Sequence, residues 1–148
     1  MTLLVTDLPI DVCGLISEAI RPENGALATF MGSVRNPSGG RAVQGLFYEA
    51  YAPMALKKFN EINSEVRARW QVQELSIIHR VGRLLAGDVA VLIIASSAHR
   101  RDALSACSHA IERVKQITPI WKKEFREGPQ GVWLENCCES NQNETSNV

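Results

Sequence analysis

The sequence lacks most of the features that announce a function. Its longest apolar run, Val89 to Ala95, is far too short to cross a bilayer. Before Asp7 the only apolar segment is Leu3-Leu4-Val5, which predicts no signal peptide and a cytoplasmic location. Sixteen Lys and Arg are cancelled by sixteen Asp and Glu, which argues against a general nucleic-acid coat or a polybasic membrane face. Cys13, Cys107, Cys137 and Cys138 show no CxxC spacing and read as free thiols of a reducing compartment. His79, His99 and His109 have no metal-ligand spacing, so no metal is expected. GxSxG, Walker A and GxGxxG segments are absent, as are RNA-binding aromatic signatures. There is no internal repeat and no linker.

What remains is an ordinary globular composition: 148 residues, 45% hydrophobic and 22% charged. One domain is expected over residues 1–138, followed by a polar, disordered tail at 139–148. Leu3 to Thr6 reads as a short edge strand. Asp11 can cap a helix with Val12, Leu15, Ile16, Ala19 and Ile20 inward. Ala26 to Arg35 and Ala42 to Tyr51 read as a hairpin around the loop Asn36 to Arg41. Pro53 opens a helix to about Arg69 that buries Ala55, Phe59, Ile62 and Val66. Val72 to Val81 is the next strand. Leu84 to Asp88 supplies a turn into Val89 to Ala95, which is apolar on both faces and therefore central. Arg100 to Thr118 is a helix with Ala103, Cys107, Ala110, Val114 and Ile117 inward, stopped by Pro119. Ile120 to Arg126 and Val132 to Glu135 form two closing strands. Hairpins mixed with three helices predict an α+β fold with a mixed or antiparallel sheet.

Two segments bring cations against apolar elements. Ser97-Ala98-His99-Arg100 follows the central strand, and Pro119-Ile120-Trp121-Lys122-Lys123-Glu124 follows the helix that carries Lys115. Desolvating a charge costs several kcal/mol, so converging cations point to an anionic ligand. Blander readings stand beside this one. His99 can simply cap the helix and Arg100 can pair with Asp102. Lys115 can be a solvated residue paired with Glu112. Lys122 and Lys123 alternate across a strand, so only one can face a given pocket; Glu124 shares the face of Lys122, as a salt bridge or as an acid/base partner. Arg35 ends a strand beside Gly39 and Gly40, which suit either a close backbone approach to ligand or a turn.

Five segments together resemble one family: Phe30-Met31-Gly32-Ser33-Val34-Arg35-Asn36, Tyr48 to Ala55, Ile78-His79-Arg80-Val81-Gly82, Ser97 to Arg100, and Lys115 with Pro119 to Glu124. In this order and spacing they are similar to the large, catalytic subunit of molybdopterin synthase, from about Gly25 to Trp133. The resemblance implies an α/β hammerhead-like fold with an extra small antiparallel sheet and no cofactor. It implies a sulfurtransferase of molybdenum cofactor biosynthesis that converts a cyclic pyranopterin monophosphate (precursor Z) into molybdopterin. The sulfur comes from the C-terminal thiocarboxylate of a small ubiquitin-like partner, in a heterotetramer built on a homodimer of this subunit. By the same resemblance Lys115 and Lys122 are catalytic, while Phe30, Arg35, His99, Arg100, Lys123 and Glu124 bind substrate. Phosphate and thiocarboxylate are both anions, and two like charges about 4 Å apart repel by roughly 4 kcal/mol at an effective dielectric near 20. A basic pocket offsets that repulsion. The alternatives are a non-catalytic phosphopterin-binding module and a carrier-docking subunit.

Overall fold

The computed structural model describes residues 1–36 and 44–125, and the backbone of 132–134. Gly39, Gly40 and Arg41 of the expected loop, Cys137, Cys138 and the polar tail 139–148 lie outside the described residues. In chain order the elements are β1 (Leu3–Thr6), α1 (Val12–Ala19), β2 (Ala26–Ser33), β3 (Gly45–Ala50), α2 (Ala52–Arg69), β4 (Val72–Arg80), β5 (Gly82–Leu85), β6 (Val89–Ser97), α3 (Arg100–Ile117), β7 (Ile120–Phe125) and β8 (Val132–Leu134). They form an α+β fold with two four-stranded sheets, ordered β1-β4-β6-β2 and β5-β3-β7-β8.

Every residue of β6 after Val89 is buried, so both faces of the first sheet must be covered. Alternation along the strands divides the work. Val91, Ile93 and Ala95 of β6, with Leu75 and Ile77 of β4 and Ala28 of β2, pack under α2 and α3. Leu92 and Ile94 of β6, with Ile78 of β4, face α1 through Ala19. Strand β1 runs parallel to β4, and the other pairings in this sheet are antiparallel. Helix α2 contributes Ala55, Phe59, Ile62 and Val66, all 0% exposed, the spacing its sequence predicts. Each large side chain so buried stabilises the fold by about 1.5–3 kcal/mol. Helix α3 contributes Ile111 and Val114 together with Ala103, Ala106, Cys107 and Ala110, the last four small enough to let it approach the sheet.

The hairpin expected between the second and third strands does not form. Strand β2 pairs with β6, Phe30 opposite Ile93, and β3 pairs with β5 and β7 in the other sheet. The connection spans residues 34–44, longer than the tight turns that hold hairpins in register. Leu84 and Leu85, expected in a turn, are instead the end of β5. The turn lies at Ala86-Gly87, where Gly87 has φ +94°, and Asp88 Oδ2 accepts from the Leu85 amide at 3.0 Å. Ile20, expected inward, lies past the end of α1 and is 65% exposed.

The second sheet is antiparallel throughout. It joins the first through a small cluster in which Val34, Leu84 and Ala90 are buried and Leu46 and Tyr48 pack against them. Gly45 makes the β3–β5 contact possible, because a Cβ there would stand 2.3 Å from the Leu84 carbonyl oxygen. Helices α2 and α3 are clamped to each other by Glu65. Its carboxylate accepts from Arg113 Nε and a terminal guanidinium nitrogen, both at 2.9 Å, and lies 2.9 Å from His109 Nε2. The Arg113 guanidinium, followed by His109, holds the Glu65 carboxyl down at about 2 against burial, which pushes the other way.

Two predictions follow from this packing. Alanine in place of a strand glycine ordinarily stabilises by about 0.5–1 kcal/mol; Gly45→Ala should instead destabilise, seen as a lower urea midpoint at unchanged slope. The Glu65 contribution is fully present above about pH 4.5 and is lost as pH falls toward 2. Glu65→Gln should therefore cost about 1–3 kcal/mol at pH 7 and flatten the acid limb of the stability curve between those values.

Candidate active site

The two sheets and the C-terminal half of α3 meet around a cavity of about 330 Å³. Strand β2 brings Phe30, Gly32 and Ser33, and Arg35 follows just past its end. The helix brings Ile111, Val114 and Lys115, with Thr118 at its C-cap. From the second sheet come Leu46, Tyr48, Ile120, Lys122 and Glu124. His79 and the β6 residues Ala90 and Val91 complete the wall.

Local chemistry explains most of these placements. Lys115 lies in the last turn of α3, where the negative end of the helix dipole favours a cation. Pro119 cannot continue the helix, so the chain leaves Thr118 extended and enters β7. Lys122 pairs in register with Tyr48, and Glu124 with Leu46. Strand alternation then carries Lys122 and Glu124 to the same face, the one that lines the cavity. Glu124 is only 3% exposed, so a carboxylate is buried within a wall that also presents Arg35, Lys115 and Lys122. Gly32 keeps the floor thin, since a Cβ there would stand 2.7 Å from a Val91 methyl.

Five residues singled out from the sequence thus converge: Phe30, Arg35, Lys115, Lys122 and Glu124. Three others do not reach this cavity within one chain. Lys123 alternates to the opposite face of β7, in register with Phe47 and Trp133. His99 and Arg100 are exposed at the start of α3, while Lys115 lies near its end. At 1.5 Å rise per residue the two ends of the helix are about 22 Å apart. His99 holds the N-cap position without a side-chain capping bond. Asp102 accepts from the Gln71 amide at 3.3 Å, and among the described residues no ion pair joins it to Arg100.

The structure adds Ser33, Tyr48, His79 and Thr118 as polar wall residues to the sequence reading. Tyr48 and His79 stand edge to face, with ring centroids 5.2 Å apart. His79 is 7% exposed, and burial pulls its pKa down from 6.5 to about 4. Thr118 is 6% exposed, and among the described residues its hydroxyl has no hydrogen-bond partner. The available signal was a lone imidazole directly after a pair of core residues, as His79 follows Ile77-Ile78. Cys107, on the sheet-facing side of α3, lies in the core, and burial pushes its thiol up to about 11. It is therefore a packed thiol at neutral pH and carries no nucleophilic chemistry here.

Comparison with known proteins accords with this geometry. The family model described as MoaE protein matches residues 5–117. A molybdopterin synthase catalytic subunit from Halalkalibacterium halodurans is 42% identical over 130 residues, covering 88% of this chain and 83% of the relative. The crystal structure of molybdopterin synthase from Staphylococcus aureus aligns with a TM-score of 0.82 at 41% identity, covering 88% of this chain and 95% of that one. A Helicobacter pylori structure, described as a complex of subunits 1 and 2 of molybdopterin-converting factor, shares the fold with a TM-score of 0.77 at 24% identity, covering 91% of each chain. With the family model matching most of its length and a 42% identical relative covered over four-fifths of its own, the chain belongs to the MoaE family of molybdopterin synthase catalytic subunits.

Proposed function

We propose that the chain is a cytoplasmic sulfurtransferase that builds the dithiolene of molybdopterin on a cyclic pyranopterin monophosphate. The sulfur donor is the C-terminal thiocarboxylate of a small ubiquitin-like partner. The observation that carries the reading is the convergence of Arg35, Lys115 and Lys122 on one cavity beside the buried Glu124. The related Helicobacter pylori fold is itself described as a complex with a second subunit.

In this reading the cations hold two anions together. Arg35 receives the substrate phosphate. Lys115 and Lys122 stabilise negative charge as the thiocarboxylate sulfur bonds to the substrate carbon and an oxygen substituent leaves that carbon, and again when water attacks the carrier's carbonyl and breaks its bond to sulfur, leaving the sulfur on the pterin and a carboxylate on the carrier. Glu124, on the same cavity-facing side of β7 as Lys122, orients that lysine toward substrate. Phe30 is the apolar wall against the ring system. Two sulfurs are needed, so two charged carriers serve each product.

His99 and Arg100 enter this scheme through a homodimer within a heterotetramer. A second copy of the chain sets the start of its α3 at the mouth of this cavity and supplies both residues to the phosphate. Lys123, on the other face of β7, approaches substrate only if that face also meets a neighbouring subunit. The competing reading, a non-catalytic phosphopterin-binding or carrier-docking subunit, predicts binding without turnover.

The test is a single-turnover reaction with thiocarboxylated carrier and the cyclic pyranopterin, following dithiolene formation by mass. Lys115→Ala and Lys122→Ala should each lower the rate by about 10²–10³-fold while pterin still binds. Pterin bound by wild type with no sulfur incorporated selects the non-catalytic reading. Mixing Lys115→Ala with His99→Ala should restore about a quarter of wild-type turnover, because half of randomly mixed two-fold dimers then carry one intact site. No recovery on mixing removes the second copy from the site.

A further inference from the structure

His79 is a cavity residue to which the scheme above gives no task. Its Nδ1 lies 2.8 Å from the Arg80 carbonyl oxygen. A carbonyl carries no hydrogen, so Nδ1 must donate, and in the neutral ring Nε2 is left bare as an acceptor. Burial keeps the ring neutral at physiological pH, with its pKa at about 4. Among the described residues no hydrogen bond engages Nε2. The fully buried side-chain atoms without a partner belong to Asn24, Arg80, Ser96 and Thr118, not to His79. Nε2 therefore retains contact with open space, and the open space beside this ring is the cavity.

A bare imidazole nitrogen does nothing for an anion; its lone pair opposes one. The cations of Arg35, Lys115 and Lys122 suffice for phosphate and thiocarboxylate. An uncharged acceptor on the same wall answers a different group, a hydrogen-bond donor. The cavity is thus bipolar, with cations for the anionic end of a ligand and a neutral acceptor for an N–H.

We propose that His79 is a specificity-determining residue: its Nε2 accepts a hydrogen bond from an N–H of the ligand's heterocycle while the cations hold the anionic end. This rests on the pterin reading of the cavity and deepens it. A site built to pair with a donor discriminates against ligands that lack one, because the acceptor is then left unpaired.

Calorimetric titration of the full-length protein with the cyclic pyranopterin monophosphate, and separately with inorganic phosphate, tests this. His79→Phe keeps a ring against Tyr48 and removes the acceptor; His79→Gln restores one. His79→Phe should weaken pterin binding about tenfold and leave phosphate binding unchanged, and His79→Gln should recover most of the loss. Wild-type pterin affinity in His79→Phe overturns the inference and leaves the functional reading standing. Loss of both ligands in His79→Phe assigns the residue to structure and also overturns it. A wild-type protein that binds phosphate but no pterin sinks the functional reading, and the inference with it. Should His79→Phe fail to fold, the wild-type ¹⁵N spectrum decides. The bare Nε2 signal should move upfield when pterin is added and stay fixed with phosphate alone; no movement with bound pterin refutes the hydrogen bond.

Discussion

Strand β6 has no solvent side, and the rest of the molecule is arranged around that constraint. A strand buried on both faces needs cover above and below. Its backbone groups need partners on both edges, because an unpaired amide in that environment costs as much as a lost hydrogen bond. Strands β4 and β2 supply the edges. Helices α2 and α3 close one face and α1 the other. Helix α3 can lie close only because it presents alanines and a cysteine to the sheet. That close approach brings its final turn, with Lys115, level with β7 and the end of β2. The site is thus a by-product of how the central strand is covered, and its cations are held by elements that the core has already fixed.

Periodicity made the helices legible. The inward residues of α2 were readable as a stripe because each of Ala55, Phe59, Ile62 and Val66 has to avoid water. The face shared by Lys122 and Glu124 was readable because alternation in a strand is obligatory. Strand partners were not readable in this way. Nothing in the residues of β2 and β3 says that they belong to different sheets, since pairing is decided by what else can cover each strand. The length of the intervening segment was the one local hint. Strand β5 escaped notice because Leu84 is its only buried residue, too little pattern to register.

The site divides along the same line. Lys115, Lys122 and Glu124 stand out in the sequence because charge beside an apolar element is costly and so draws the eye. His79 and Tyr48 are hidden within apolar or aromatic strands, and only the meeting of the two sheets shows that both border one space. His99 and Arg100 are conspicuous in the sequence for the same reason as the lysines. Helix α3 nevertheless keeps them a full helix length from Lys115, a separation that linear proximity to the central strand does not show.

The join between the sheets is slender. The first sheet rests on one large cluster and a smaller one under α1, whereas the second is tied to it through Val34, Leu84, Ala90, Leu46 and Tyr48 and through Ile120 of β7 against the large cluster. Such a seam belongs to the low end of the local-stability range, where a unit opens without global unfolding. Amides of β3 and β7 should accordingly exchange with solvent sooner than those of β4 and β6. The cavity lies in this seam, so whatever fills it bridges the more labile unit to the firmer one. Occupancy is then written into the exchange rates of the second sheet, where a ligand that never touches most of those amides still slows them.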